Sequence, residues 1–367
     1  MKVLVDAVQL TGLVTGTDRL AYNVLRELSL RQNDMSYDVL VNAQHDYVWG
    51  ALGSTMRPRP VPGRMRLRWY AQALRQHARE VDADVILSFF NCVGPLWGGP
   101  PSVVSVLDLV PFHFDAGYFP NTRTRIVLRG AARQAARHAA RLVAISEHGR
   151  NDAVTTLGVD PAHVSVATLQ ADPRFTTPDP DARRVARRAL ALPDNYVLAA
   201  GANEPRKNVA RLLQAHRRLP IALRAQFPLV VMGPTWGDAA DHDDDPYLMQ
   251  VGYVPEQHLP SVYAEATVFA FLSLYEGFGL PPLEAMACGA AVLLSNVSSM
   301  PEVGGDAAAY ADPASTESIT SALVALLSNA GERDRLRALG RQQVRQFSWA
   351  RTAEVYARAV AEAAKRL

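Results

Sequence analysis

The chain has 367 residues, of which 49% are apolar and 20% charged, and its formal net charge is +2. That length exceeds what one core usually fills and predicts two domains. The balance excludes a disordered chain, and the near-neutral charge excludes a polyanion binder acting through bulk charge.

The N-terminal stretch MKVLVDAVQLTG starts directly as a strand and has no signal-peptide anatomy. No apolar run reaches membrane-spanning length, so a cytoplasmic protein is expected. Lys2–Val8 reads as a buried strand. Gly16 and Thr17 then precede a helix over Asp18–Ser29, where Leu20, Val24, Leu25 and Leu28 recur at helical spacing. Further strands are predicted at Tyr37–Val41, Asp84–Ser88, Ser102–Val106 and Leu142–Ile145. Helices are predicted at Arg66–Arg79 and Arg123–Arg141 between them. This alternation is the grammar of a parallel sheet with helices on both faces. Asp172–Arg184, rich in Pro and Asp, reads as a linker.

A second series follows. Strands are expected at Tyr196–Ala200, Leu229–Met232, Val268–Leu272 and Ala291–Leu294. Helices are expected at Asn208–Leu219, Glu256–Glu265 and Pro282–Cys288, and the tail from Thr316 is helical throughout. The fold class is α/β, with two doubly wound domains facing a cleft. Ligands of such sheets bind beyond the carboxyl ends of the strands. The two cysteines, Cys92 and Cys288, stand far apart in apolar contexts. They form no disulfide framework and no metal set, and are expected as buried free thiols.

Two strand-to-helix loops carry the chemistry. In SLYEGFGLPPLEAMACG, Glu276 and Glu284 stand with seven residues between them, around a glycine loop and the start of a helix. The glycines let backbone N–H groups approach a ligand, and the helix N-terminus favours an anion. A carboxylate pairs with a vicinal diol. Two carboxylates astride a phosphate-friendly helix end therefore suit a sugar on each side of a diphosphate. In AAGANEPRKNVARLL, Arg206 and Lys207 precede a helix for which Asn208 is the expected N-cap, a natural diphosphate site. Lys207 stands out because this chain otherwise writes its cations as arginine: the other lysines are Lys2 and Lys365.

These segments, with VGYVPEQHLPSVYAEATVFAFLSLYEGFG, SSMPEVGGDAAAYADP and the tail FSWARTAEVYARAV, resemble the retaining glycosyltransferases of family 4, which have the GT-B fold. The likeness runs from about Tyr196 to Asp312 and is close to bacterial mannosyltransferases. It implies a first domain over 1–175, a donor-nucleotide domain over 176–347 and a last helix, 348–367, returning to the first domain. It also implies roles. Glu276 would contact the donor sugar and Glu284 the ribose. Gly277, Phe278, Gly279 and Leu280 would offer backbone donors. Arg206 and Lys207 would neutralise the leaving diphosphate, and Tyr253 and Val254 would lie beside the base. In the first domain TGLVTGTDRLAYNVLREL resembles the family's glycine loop, which brings in Gly12 and Gly16. VSVLDLVPFHF resembles a segment that usually reads His-Asp-Leu-Ile-Pro. Here Leu107 replaces the histidine while Asp108 remains, and His113 follows five residues on.

The implied reaction is retaining transfer of a hexose, mannose first, from a nucleoside diphosphate sugar to a glycan or lipid-linked acceptor. GDP-mannose is the first donor expected. No cofactor and no metal are expected: the acidic run ADHDDDP (240–246) reads as a solvated turn. Two arginine-rich stretches, RPRPVPGRMRLRWYAQALRQHAR and RTRIVLRGAARQAARHAAR, are read as helices. They are either a solvated face or a peripheral attachment to an anionic membrane. No nucleic-acid motif accompanies them. Two alternatives stay open. One is a sugar-nucleotide epimerase of the same fold, and the other a non-catalytic nucleotide-sugar-binding protein.

Overall fold

The computed structural model describes residues 1–8, 15–31, 34–43, 55–61, 67–92, 94, 98–115, 118–201, 204–233 and 245–365, with the backbone alone for 67–72. Two compact units emerge: Met1–Leu169 with Ser348–Leu367, and Gln170–Phe347.

Unit 1 holds β1 (Lys2–Asp6), α1 (Gly16–Leu30), β2 (Ser36–Asn42), β3 (Met56–Val61), α2 (Leu67–Glu80), β4 (Val85–Ser88) and β5 (Ser102–Val106). Then come α3 (Val110–His113), α4 (Thr122–His138), β6 (Arg141–Ala144), α5 (Glu147–Leu157) and β7 (Val164–Val166). The seven strands are all parallel and run in the order β3-β2-β1-β4-β5-β6-β7. The inner strands β1, β4, β5 and β6 are largely buried runs, as expected of a parallel sheet with helices on both faces. Leu4, Leu40 and Ile86 enter one apolar cluster, and Val104, Leu142 and Val164 another. The order reverses between β1 and β4.

Unit 2 holds α6 (Pro180–Ala189), β8 (Val197–Ala200), α7 (Val209–Arg217), α8 (Ile221–Gln226), β9 (Leu229–Met232), β10 (Leu248–Gly252), α9 (Leu259–Glu265) and β11 (Val268–Phe271). These are followed by α10 (Leu280–Cys288), β12 (Val292–Ser295), α11 (Met300–Gly304), β13 (Ala308–Ala311), α12 (Thr316–Ser328) and α13 (Ala330–Gln343). Its six strands are also parallel, ordered β10-β9-β8-β11-β12-β13. The reversal lies between β8 and β11. Beyond Phe347 the chain enters α14 (Trp349–Ala364), which belongs to unit 1. There Tyr356 shares a 2.9 Å hydrogen bond with Ser105, and Thr352 donates to the carbonyl of Thr168 at 2.6 Å.

Several elements differ from the sequence reading. The stretch read as one basic helix from Arg57 instead opens with edge strand β3, where Arg59 donates to buried Asp38. Pro58 and Pro60 are tolerated because an edge strand leaves one row of N–H groups unused. Arg64 and Arg66 lie outside the described residues. The linker reading ends at Asp179, whose side chain caps α6 by accepting from the N–H of Ala182. Arg141 belongs to β6, not to the preceding helix, and α9 starts only at Leu259. Cys92 and Cys288 are buried free thiols. Among the described residues no helix is long and apolar enough to cross a membrane.

Candidate donor-side site and family

At the reversal point of unit 2, the ends of β8 and β11 lie side by side, which is where an open parallel sheet leaves a crevice for a ligand. β8 runs into Gly201, and a single 3₁₀ turn, Pro205–Lys207, follows. Gly201 sits at φ +96°, and a Cβ there would lie 2.6 Å from Cγ of Lys207. Glycine is needed because the lysine stem lies across it. β11 runs into Glu276.

Glu276 is 7% exposed and is held from both oxygens. Arg206 Nη1 donates to Oε2 at 2.8 Å, and Lys207 Nζ donates to Oε1 at 2.7 Å. Arg206 Nε also donates to Glu204 at 2.8 Å. Lys207 stands 4.7 Å from the centroid of the Phe271 ring, a cation–π position. Burial opposes ionisation of Glu276, but Lys207 and Arg206 outweigh it and hold its pKa below the ordinary glutamate value. The result is a charged carboxylate clamped between two cations, with its backbone fixed from β12's loop. Ser298 Oγ accepts from the Glu276 N–H at 2.9 Å and donates to its carbonyl at 2.6 Å. Ser298 does this at φ +62°, an uncommon value for a non-glycine residue.

Glu284 lies on α10 and is 2% exposed; Tyr263 donates to its Oε2 at 3.4 Å. Gly277, Phe278, Gly279 and Leu280 are all buried beside it. Phe278 packs edge-on against Phe347, so its side chain serves the core and only its backbone is left to serve a ligand. Gly279 opens α10 at φ +128°. Val254 is buried and Tyr253 is exposed, in the turn after β10.

Asn208 departs from expectation. It takes the left-handed conformation, φ +59°, and its side chain does not cap α7. Instead its amide donates to the carbonyls of Leu272 and Pro313, tying the Arg206–Lys207 turn to the end of β11. Ser298 and Glu204 were missed too. Both lie inside the quoted segments AAGANEPRKNVARLL and SSMPEVGGDAAAYADP, but no spacing marks them out within those segments.

In unit 1, Gly12 lies outside the described residues. Gly16 is the first residue of α1, behind an N-cap at Thr15 that forms a reciprocal box with Asp18. Asp108, after β5, accepts from Asn91 Nδ2 at 2.9 Å. His113 ends α3, and its Nε2 meets both oxygens of buried Asp152 at 2.9 and 2.8 Å. Of the acidic run, Asp245 is described. It accepts from Arg217 and Arg224 and is a structural ion pair. Residues 240–244 lie outside the described residues. Among the described residues no group of His, Cys, Asp and Glu could hold a metal ion.

The comparisons agree with this architecture. Residues 183–343 match the family described as glycosyl transferases group 1, and residues 14–168 match the family described as glycosyltransferase family 4. One similar protein is the O-antigen chain mannosyltransferase B of Escherichia coli. It is 42% identical over 161 residues, which is 42% of this chain and 42% of that protein. Another is the serotype-specific mannosyltransferase WbdA of Escherichia coli, 30% identical over 230 residues, 58% of this chain and 28% of that protein. The chain thus matches less than half the length of these relatives. Among solved structures, the crystal structure of Anabaena Alr3699/HepE in complex with UDP and glucose is similar with a TM-score of 0.75 at 16% identity. That match covers 98% of this chain and 99% of the other. The fold is that of the GT-B glycosyltransferases, and by both of its units the chain belongs to the family 4, group 1 glycosyltransferases.

Proposed function

We propose that this protein transfers a mannosyl group from a nucleoside diphosphate sugar, GDP-mannose first, to a hydroxyl of a glycan or lipid-linked acceptor, with retention at the anomeric carbon. The observation that carries this reading is Glu276 clamped by Arg206 and Lys207 at the reversal point of unit 2, eight positions before a second buried carboxylate, Glu284. The mannosyltransferase names of the similar proteins support mannose as the sugar.

In this reading Glu276 accepts from hydroxyls of the donor sugar and Glu284 from the ribose diol. Backbone N–H groups of Gly277 to Leu280 face the sugar and the diphosphate, and Tyr253 and Val254 flank the base. The bond from the anomeric carbon to the diphosphate oxygen breaks, and the acceptor oxygen bonds on the same face. The acceptor's proton passes to the departing diphosphate. Negative charge grows on that leaving group, and the two cations already in place stabilise it without reorganisation. They supply the charge a divalent ion would otherwise bring, so no metal cofactor is proposed. On the acceptor side Gly12, Gly16, Asp108 and His113 are the proposed participants.

Peripheral attachment to an anionic membrane is part of the proposal. Arg123, Arg133 and Arg137 are exposed along α4 with Ile126 between them. Failure to sediment with anionic vesicles at moderate salt would remove it.

A donor panel tests the main reading. GDP-, UDP- and dTDP-sugars are incubated with mannosides as acceptors, with and without EDTA. Release of GDP from GDP-mannose, insensitive to EDTA and yielding an α-mannosidic product, is expected. Formation of an epimeric sugar nucleotide, or binding with no turnover on any donor, overturns it.

A further inference from the structure

At the carboxyl edge of the unit 2 sheet one side chain joins three loops. Asn208 follows the Pro205–Lys207 turn after β8 and is buried. Its amide donates to the carbonyl of Leu272, just past the end of β11, at 3.1 Å, and to that of Pro313, beyond β13, at 2.8 Å. Its oxygen accepts from Arg211 Nη1 at 3.1 Å, and the same nitrogen of Arg211, within the first turn of α7, donates to Pro313 at 2.8 Å. Both amide hydrogens and the amide oxygen are thus used. The loops after β8, β11 and β13 are held at one residue, although β13 is a sheet neighbour of neither β8 nor β11.

Two features of Asn208 are unfavourable taken alone. Its backbone stands at φ +59°, a region that asparagine tolerates better than most residues but not freely. Its side chain also forgoes the N-cap of α7, a role for which asparagine is well suited. A plain connection between β8 and α7 requires neither. Residues held in sparsely populated backbone regions persist where their surroundings over-determine them, and they cluster at functional sites. The residue directly before Asn208 is Lys207. The turn is tied once more to the β11 loop, because the N–H of Leu274 donates to the carbonyl of Arg206 at 2.8 Å. These ties fix the turn against the loop that carries Glu276, which Arg206 and Lys207 meet at 2.8 and 2.7 Å.

We infer that Asn208 is a positioning residue for the transfer reaction: by binding the end of β11 and the loop after β13 to the Arg206–Lys207 turn, it sets where both cations stand at the leaving diphosphate. This rests on the transferase reading above and deepens it. Asn208 acts through the cations and not on a reacting atom. Arg211 supports it by fixing the amide oxygen, which turns the two amide hydrogens towards the two carbonyls.

Steady-state kinetics of full-length N208G and R211M test the inference. The donor is GDP-mannose, or whichever sugar nucleotide of the panel above the wild type uses fastest, with its best mannoside acceptor. Glycine adopts positive φ freely, so N208G keeps the backbone path and removes the ties to Leu272, Pro313 and Arg211. Misplacing a positioned group by about 1 Å costs on the order of 10²-fold, so N208G should lose roughly 10- to 100-fold in kcat. Donor KM should change little, because the cations answer charge that grows only after binding. The acid limb of the kcat/KM profile should move to higher pH, since cations drawn away from Glu276 favour its charged form less. R211M should show the same two changes to a smaller extent. A lowered melting temperature with kcat and the acid limb unmoved makes Asn208 a structural tie only and overturns the inference, as does a raised donor KM at full kcat. Should N208G fail to fold, R211M is read against the same outcomes. If the wild type releases nucleoside diphosphate from no donor, the transferase reading fails and this inference falls with it. Turnover by the wild type with unmoved kinetics in N208G overturns this inference alone.

Discussion

At the scale of single residues, charge in a dry environment decides behaviour. Glu276 stays ionised because Lys207 and Arg206 together outweigh the cost of burial. Removing Lys207 leaves burial opposed by one cation that Glu204 also shares. Lys207→Ala should lower kcat by about 10²- to 10³-fold, the usual loss for one preorganised donor at developing charge. The Glu276 pKa should also rise, so the acid limb of the kcat/KM profile should move to higher pH; an unmoved limb with full turnover removes Lys207 from the reaction. Asp6, at the end of β1 beside Ser88, shows the opposite balance. Burial raises its pKa from 3.8 to about 7, against hydrogen bonds from Val8 and Ser88. Its folded form holds a proton that the unfolded chain releases, so folding loses stability as pH rises from about 4 to about 7. Asp6→Asn removes that loss. Thermal melts should show the variant gaining on the wild type across this window and holding a constant lead above it.

At the scale of elements, α10 shows how one glycine sets a helix where the proposed chemistry needs it. Gly279 sits at φ +128°, and a Cβ would meet Met300 Cε at 2.5 Å and Val303 Cγ2 at 3.6 Å. Both neighbours belong to α11, so the loop passes tightly beneath that helix. Gly279→Ala should cost about 1–3 kcal/mol through backbone strain and contact, read by urea denaturation, and should raise the donor KM. Unchanged stability would show that the loop relaxes freely. Reading strands from the sequence works where a run is rich in bulky apolar residues and fails where it is very short or made of alanine. The strands β1, β5, β8 and β11 are apolar and plain in the sequence. β7 has three residues, Val164–Val166, and β13 is Ala308–Ala311. β7 is too short and β13, with three alanines, too small in side chain to announce a strand, and pairing with β6 and β12 makes them strands.

At the scale of the whole molecule, α14 leaves the second unit to complete the first. Trp349, Ala353, Tyr356 and Val360 are buried along one face of α14. Tyr356 lies 5.3 Å from the Phe89 ring, and Arg141 pairs with Glu362. Burying a large side chain is worth about 1.5–3 kcal/mol, so the helix contributes several such terms to a domain of marginal stability. Truncation after Phe347 should leave unit 2 resistant to limited proteolysis and unit 1 degraded. Equal resistance of both units would mean that unit 1 is stable without its last helix.

The sequence by itself determined the alternation of strands and helices, the E-x₇-E frame and the Arg206–Lys207 pair, because each is written within twenty residues of chain and rests on local conformation. Only the tertiary structure decided how these parts answer each other. It set the lysine over Gly201, joined both cations to a glutamate about seventy positions later, and turned Asn208 from a helix cap into a tie between loops. It also brought Asp152 to His113. The reason is the strand order. In a doubly wound sheet, the loops that meet at the carboxyl edge are set by which strands are neighbours, and that order follows from packing two helix layers on one sheet, not from any local run of residues.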